Sequence, residues 1–282
     1  FACLAGGAIG ILLGGITGSL PVQYEGFRAF VDINYNLGPL FPALFITIAC
    51  GAVSGFHSIV ASGTTSKQLK NEQSAKPIAY GAMLVEAGLA VVALSTVMIL
   101  SEDPGKTPID VFASGIGKLF STFGFPSEMA TTFGLLSIST FLLTTLDTCT
   151  RLARFVFQEL FKLRRTGSRL VATMASLVIP SILVFTAIPG PQGTLIPAWK
   201  AIWPIFGASN QLLAALALLV VYAWLRHEGK KALFVLIPMS FMAITTFCAM
   251  GIMVYNNLLK NDGSILVGII SLSLWVLAIV VI

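Results

Sequence analysis

The chain has 282 residues, of which 56% are hydrophobic and 10% are charged, and its net charge is +5. In a soluble domain about a quarter of all residues are charged. The composition of this chain therefore excludes an ordinary soluble protein and predicts an integral membrane protein. The basic residues lie in short loops beside apolar runs, without an aromatic RNA-binding motif, so the charge does not indicate a nucleic-acid partner.

Both ends of the sequence, Phe1 and Ile282, lie inside apolar runs. We therefore expect residues 1–282 to form a single transmembrane domain that is a fragment of a longer chain. No basic segment typical of a signal peptide precedes the first run. The four cysteines are scattered without CxxC spacing, which predicts small packing residues and no metal site.

Eight apolar runs are long enough to cross a hydrocarbon core of about 30 Å, which needs about 20 helical residues. They lie near residues 1–20, 40–62, 78–100, 131–150, 170–188, 203–225, 232–255 and 264–282. Polar or proline-rich connections such as SEDPGKTPID separate them, and no segment shows strand periodicity. The predicted fold is an all-α polytopic membrane helix bundle of about eight helices.

Basic residues are concentrated in alternate loops. Loops 63–77, 151–169 and 226–231 hold 12 of the 17 lysine and arginine residues, whereas the opposite loops hold five basic and seven acidic residues. Because positive charge marks the cytoplasmic side, these three loops are predicted to be cytoplasmic, and Phe1 lies toward the same side.

The first span carries Gly6, Gly10, Gly14 and Gly18 on one helical face. Such a row lets another helix approach closely, and we interpret it as a packing feature.

The second span contains the motif ACGAVSGFHSIVASGTT, in which Gly51, Gly55 and Gly63 weaken the helix. A break inside the membrane exposes backbone groups that must be buried in protein or line a wet cavity, as in the substrate and ion sites of secondary transporters. The candidate binding residues here are Ser54, Gly55, His57, Ser58 and Ser62. A glycine-rich helix that simply ends at Thr64 and Thr65 is the alternative.

Ionisable side chains at membrane depth are functional candidates because they are costly there. Glu86 is either a protonated packing residue or a proton-relay or substrate-facing group. Asp147 lies four residues before Arg151, so it is either a ligand or half of a helical ion pair. His57 is either a ligand that titrates near physiological pH or a cap of a neighbouring helix.

The sixth span opens with WPIFGASNQ. Pro204 is typical of a helix N-terminus, and Asn210 and Gln211 enter the outer part of the membrane. These two carboxamides either form hydrogen bonds between helices or line an aqueous path.

Enzyme motifs fit poorly. Ser54 and His57 are three residues apart, but a rhomboid-like protease has GxSG, and Ala52 replaces its first glycine. Neither HExxH nor the nucleotide-binding GxxxxGK[ST] occurs in the sequence. We therefore expect a protein that is not an enzyme and does not itself use ATP.

The motifs FPALFITIACGAVSGFHSIVASGTTSKQL, YGAMLVEAGLA, LLTTLDTCTRLARFVFQEL and WPIFGASNQLLAALAL occur in this order over residues 40–225. In this they resemble the carbon starvation protein A (CstA) family of bacterial inner-membrane transporters. The resemblance implies a fold of two inverted five-helix repeats, with residues 40–62 as the broken first helix of the second repeat. It also implies that Thr144, Thr145 and Asp147 lie where such folds often bind a coupling cation.

We therefore expect a secondary transporter of peptides or pyruvate-like carboxylates in the bacterial inner membrane, with alternating access around a broken helix near residues 50–65. The substrate carboxylate would bind freed backbone amides and His57, and Glu86 or Asp147 would carry the coupling proton or Na⁺, with no other cofactor. The alternative is a membrane-embedded nutrient sensor that acts through a partner. The expected partners are a small-molecule substrate and the lipid bilayer, and the sequence leaves the oligomeric state open.

Overall fold

The computed structural model describes residues 1–24, 27, 30–32, 38–100, 107–163, 168–189, 195–260 and 265–281. The helices are α1 (Ala2–Thr17), α2 (Phe45–Ala52), α3 (Gly55–Val60), α4 (Ser66–Gln68), α5 (Ala75–Met98), α6 (Pro108–Ser121), α7 (Ser127–Leu160), α8 (Ser168–Phe185), α9 (Ala198–His227), α10 (Leu233–Val254) and α11 (Ile265–Val281). Wider π-helical turns cover Ala61–Thr65 and Tyr255–Leu259, and a 3₁₀ turn covers Glu72–Ser74. The segment Leu40–Leu44 before α2 is kinked at Phe41, whose backbone angles are φ −120° and ψ 133°.

The predicted all-α membrane bundle is confirmed. Five helical stretches among the described residues are long and apolar enough to cross a membrane: Leu40–Gln68, Glu72–Met98, Ser127–Leu160, Ala198–His227 and Leu233–Leu259. The other three predicted spans are shorter apolar helices, over Ala2–Thr17, Arg169–Phe185 and Ile265–Val280. Their apolar character was predicted correctly, and the complete helices α1, α8 and α11 have 16, 18 and 17 residues, respectively.

In the part of the chain that the structure describes, two short strand pairs lie between the helices, although no segment of the sequence shows strand periodicity. Strand β1 (Val31–Asp32) pairs antiparallel with β2 (Gly38–Pro39), and β3 (Ala187–Pro189) pairs antiparallel with β4 (Leu195–Pro197). Each strand has two or three residues, which is too short to produce the alternation by which a strand is recognised in a sequence.

Two helices extend beyond the predicted spans. Helix α7 continues to Leu160, into the segment predicted as loop 151–169, because charged residues can continue a helix outside the apolar layer. Helix α9 begins at Ala198, so Pro204 lies inside the helix and not at its N-terminus.

The predicted connection over 101–130 contains α6, which begins with a capping box. The Thr107 hydroxyl accepts from the Asp110 N–H, and the Asp110 carboxylate accepts from the Thr107 N–H. Residues 164–167 of the predicted cytoplasmic loop lie outside the described residues, as do the acidic residues Glu25, Glu102, Asp103 and Asp262.

The chain divides into two compact units. The first comprises Phe1–Arg28 and Gln68–Arg151. Its core contains Val92, Ile99, Ile116 and Leu119.

The glycine row of α1 packs as predicted. A side chain at Gly6 would meet the Phe120 ring, and a Cβ at Gly10 would lie 2.7 Å from the Leu119 carbonyl oxygen. Gly18 differs from the others, because it ends α1 with a left-handed φ of 67°.

The second unit comprises Ala29–Lys67 and Leu152–Ile282. Helix α9 is its centre and packs against α2, α3, α8, α10 and α11. The core consists of Ile46 from α2, Ala208 and Leu212 from α9, Ala249 and Met250 from α10, and Ala278 from α11.

Candidate functional site

The membrane-length stretch Leu40–Gln68 is broken near its middle. Helix α2 ends at Ala52, Ser54 has the extended backbone angles φ −106° and ψ 122°, and α3 begins at Gly55. The predicted break within residues 50–65 is therefore present, and it lies at Val53 and Ser54.

Gly55 allows α3 to begin directly against α9. A Cβ at this position would collide with the Leu213 side chain and the Asn210 carbonyl oxygen, and would lie 2.7 Å from the Ala214 nitrogen. Two of these three contacts are backbone atoms, which cannot move aside as a flexible side chain does. Gly55 is therefore a packing requirement of the break.

Asn210 of α9 bridges the two sides of the break. On the α3 side, its Oδ1 accepts from the Phe56 N–H at 2.7 Å and from the Ser54 hydroxyl at 3.3 Å. On the α2 side, its Nδ2 donates to the Cys50 carbonyl oxygen at 3.3 Å and lies 3.0 Å from Cys50 Sγ. Asn210 is only 4% exposed, so one buried carboxamide supplies partners that an unbroken helix would find in its own backbone.

Of the two interpretations of Asn210, cross-helix hydrogen bonding is therefore the one observed in this structure. Sequence reasoning missed its partner Cys50, which we interpreted only as a packing residue. No sequence signal links these positions, because they are 160 residues apart.

The first amides of α3 are already paired inside the protein. The Phe56 N–H donates to Asn210, the His57 N–H donates to Ser54 Oγ at 3.4 Å, and the Ser58 N–H donates to the Ser54 carbonyl oxygen at 3.3 Å. In this conformation a substrate carboxylate would have to displace one of these bonds to reach an amide.

The His57 imidazole is exposed and lies beside the Phe56 ring, with ring centroids 5.8 Å apart. Among the described residues, no hydrogen bond to this imidazole is observed. Of the candidate residues at the break, His57 is the one whose side chain can carry a positive charge.

The hydroxyl groups that follow the break donate to carbonyl groups of the preceding helical turn. Ser58 donates to Gly55 at 2.6 Å, Ser62 to Ser58 at 2.9 Å, Thr64 to Val60 at 2.8 Å and Ser66 to Ser62 at 2.8 Å. Their oxygen lone pairs stay available, so these residues can accept from a donor or coordinate a cation.

The interpretation of Thr64 and Thr65 as a helix end is wrong. The chain continues through the π-helical turn Ala61–Thr65 and α4 to Gln68. Turns of this kind are rare and frequently lie at functional sites.

Asp147 forms the predicted ion pair with Arg151. Its Oδ2 lies 2.7 Å from Arg151 Nη2, and the side chains are 68% and 49% exposed, respectively. One turn earlier, the Thr144 and Thr145 hydroxyls both donate to the Phe141 carbonyl oxygen, at 2.7 and 3.2 Å. The pairing does not test a ligand role of Asp147, which stays a prediction.

Glu86 lies on an exposed face of α5. No ion pair or hydrogen bond to its carboxylate is observed among the described residues.

Glu86, Thr144, Thr145 and Asp147 belong to the first unit, whereas the break and Asn210 belong to the second. The structure thus groups the candidate residues into two sets, each within its own unit. Over the described residues, no three His, Cys, Asp or Glu side chains form a metal-binding group.

Comparison with known proteins places these features in context. The profile of the family described as carbon starvation protein CstA matches residues 1–106 and 102–249. The peptide transporter CstA of Escherichia coli is 31% identical over 87% of this chain and 44% of its own length. The peptide transporter CstA of Bacillus subtilis is 29% identical over 97% of this chain and 53% of its own length.

The pyruvate/proton symporter BtsT of Escherichia coli is 28% identical over 90% of this chain and 47% of its own length. The chain thus spans about half the length of these relatives. No solved structure matches it.

Proposed function

Because the chain belongs to the carbon starvation protein CstA family, we propose that it is part of a secondary active transporter for peptides or pyruvate-like carboxylates. The chain is a multi-pass protein of the bacterial inner membrane, as its family and its membrane-length apolar helices indicate. Two of the relatives described above are named as peptide transporters, and the third is named as a pyruvate/proton symporter. These relatives are transporters by name, which supports a protein that is not an enzyme.

The observation that carries this proposal is the break at Val53 and Ser54, bridged by Asn210. A break at this point costs little, because Asn210 satisfies backbone groups on both sides of it. Hydrogen bonds to one side chain can exchange more readily than a continuous helical ladder can unwind. The two half-helices α2 and α3 can therefore change their relative angle at the break, which is the motion that alternating access requires.

His57 and the hydroxyl groups behind it are the proposed substrate contacts. A protonated imidazole attracts the carboxylate that peptides and pyruvate share. The lone pairs of Ser58 and Ser62 can accept from a substrate donor such as the peptide N–H. Glu86 or Asp147 carries the coupling proton or Na⁺ in this proposal, and no other cofactor is needed.

Uptake into proteoliposomes by the purified full-length protein tests the proposal. We expect His57→Gln to lower uptake of radiolabelled pyruvate or dipeptide at least 10-fold. The matched control is His227→Gln, because His227 is the only other histidine and lies at the exposed end of α9. Equal uptake by both variants would contradict the role of His57.

The same experiment separates transport from sensing. A nutrient sensor binds its ligand but accumulates nothing inside the vesicles. If the wild-type protein binds pyruvate or dipeptide, measured by tryptophan fluorescence, and yet produces no uptake, the transporter proposal is wrong and the sensor is favoured.

A further inference from the structure

The second unit contains a set of buried polar atoms that the break does not use. Within the described residues, no hydrogen bond is formed by either amide atom of Gln211, by the hydroxyls of Thr246 and Ser271, or by the indole nitrogen of Trp275. Gln211 and Thr246 are 0% exposed. A buried polar group without a partner is costly, so native proteins rarely leave several together.

Neighbouring hydroxyls on the same helices avoid this cost. Thr245 donates to the Phe241 carbonyl oxygen at 2.6 Å, and Ser273 donates to the Ile269 carbonyl oxygen at 2.9 Å. Thr246 has a carbonyl group one turn earlier but makes no such bond in this structure. Its hydroxyl is therefore available to the core between the helices.

Gln211, Thr246 and Trp275 lie at about the same level of this core. Leu225 of α9 packs in one cluster with Val235 of α10, near the connection between these antiparallel helices. The number of residues between Gln211 and Leu225 on α9 equals the number between Val235 and Ala249 on α10. In an antiparallel pair of helices, Gln211 therefore lies opposite Ala249. Thr246 is then three residues away, roughly 4.5 Å along the axis.

Trp275 of α11 reaches the same level. Its ring packs against the core that contains Leu212, Ala249 and Met250. The ring also lies 3.8 Å from the position that a Cβ would take at Gly251. Gln211 of α9, Thr246 of α10 and Trp275 of α11 therefore bring unpaired polar groups to the region around Met250.

The chemistry of these groups selects a neutral ligand. The Trp275 indole can only donate, the Gln211 amide donates and accepts, and the Thr246 hydroxyl does either. A cation is disfavoured because the Trp275 indole and the Gln211 NH₂ group present hydrogen atoms to it. An anion is disfavoured because the sequences of α10 and α11 contain no lysine or arginine to balance its charge. Water donates and accepts, so it can satisfy all three of these groups.

We propose that Gln211, Thr246 and Trp275 form a buried hydration site between α9, α10 and α11, in which ordered water satisfies their polar atoms. Consecutive carboxamides of α9 then have different partners: Asn210 bonds to the broken helix, and Gln211 bonds to water in the core. Water can exchange partners when a helix shifts, so α9 can follow a movement of α3 without exposing an unpaired polar group. The hydration site does not depend on which substrate is transported.

Apolar substitution distinguishes a hydrated site from dry, unpaired groups. In the full-length protein in detergent, we expect Gln211→Leu and Thr246→Val each to lower the unfolding temperature by about 2 to 4 °C. The double variant should lose less than the sum, because both side chains share water. The control is Thr245→Val, which removes a hydroxyl that bonds only to its own helix and should shift the unfolding temperature less. If the apolar variants are unchanged or more stable, the groups are dry and the proposal is wrong.

Radiolytic footprinting tests the wild-type protein directly. Hydroxyl radicals formed from bound water oxidise adjacent side chains, even when those are buried. We expect oxidation of Met250, which is 1% exposed, to exceed that of Met242, which is 3% exposed on the same helix, and to fall in Gln211→Leu. Equal protection of both methionines overturns the proposal.

A cation in place of water would give a different result. If replacement of NaCl by choline chloride lowers the unfolding temperature of the wild type but not of Gln211→Leu, the site binds Na⁺. That outcome also overturns the proposal.

Discussion

Phe56 and Asn210, which are 154 residues apart in the sequence, are joined by a 2.7 Å hydrogen bond from the Phe56 N–H to the Asn210 Oδ1. In a continuous helix this N–H would donate to the carbonyl group of Ala52. A side chain of α9 has thus replaced a backbone partner of the second membrane span. The two halves of that span are consequently coupled to α9 by hydrogen bonds as well as by packing.

Removal of the bridging carboxamide should destabilise the protein. Asn210→Ala leaves the Phe56 N–H and the Cys50 carbonyl group without this partner, so we expect a loss of about 2 to 4 kcal/mol in the free energy of unfolding. Denaturant titration followed by circular dichroism measures this loss. Ser209→Ala is the neighbouring control, because its hydroxyl donates to Phe206 of its own helix at 3.0 Å. A bridge without energetic importance would give the two variants the same stability.

Gly55 and Gly51 should respond in opposite directions to alanine. Gly55→Ala forces a methyl group against the backbone of α9, and we expect it to cost about 1 to 3 kcal/mol. At Gly51 an added Cβ meets no atom within 4 Å in the described structure, so Gly51→Ala should stabilise α2 by about 0.5 to 1 kcal/mol. Thermal unfolding of both variants checks the prediction, and a destabilised Gly51→Ala would show that α2 needs its flexibility.

The ion pair between Asp147 and Arg151 offers a matched test of the proposed cation site. Asp147→Asn and Arg151→Gln both break the pair, but only the first removes a carboxylate. Because the pair is exposed, we expect either variant to change stability by less than about 1 kcal/mol. We expect Asp147→Asn to abolish the dependence of uptake on the proton or Na⁺ gradient and Arg151→Gln to retain it. Equal losses in both variants would assign Asp147 a purely structural role.

Glu86 is the second candidate for the coupling group. If it carries the proton, Glu86→Gln makes the site permanently neutral, so gradient-driven uptake should fall while exchange of substrate across the membrane persists. Counterflow of radiolabelled substrate in proteoliposomes measures this exchange. Glu72→Gln is the control, because Glu72 lies in the exposed 3₁₀ turn before α5. Gradient-driven uptake at the wild-type rate in Glu86→Gln would exclude this role.

The apolar runs predicted the membrane helices, but their ends were predicted less well. Hydrophobicity marks the part of a helix that meets lipid, whereas hydrogen bonding and local propensity decide where the helix ends. Helix α7 therefore continues past Arg151 to Leu160, and α9 begins six residues before Pro204. The strand pairs escaped prediction because each strand has at most three residues.

The break itself could be predicted from glycine and hydroxyl residues around His57. Its position at Val53 and Ser54 could not, because it depends on the contact of Gly55 with α9 and on Asn210. Both contacts join segments more than 150 residues apart, and a single sequence carries no record of that pairing. The same limit applies to Cys50, which is close to Asn210 only after folding.

The π-helical turn Ala61–Thr65 has a consequence for the phase of its helix. Each residue of an α-helix advances the side-chain direction by about 100°, and a π turn contains one residue more than the regular repeat. The direction of the Ser58 side chain relative to that of Lys67 therefore differs from the one that a regular α-helix would give. A regular α-helix of the same sequence would turn the break by about 100° relative to the basic residues after it. A single extra residue thus sets the direction in which the broken segment points.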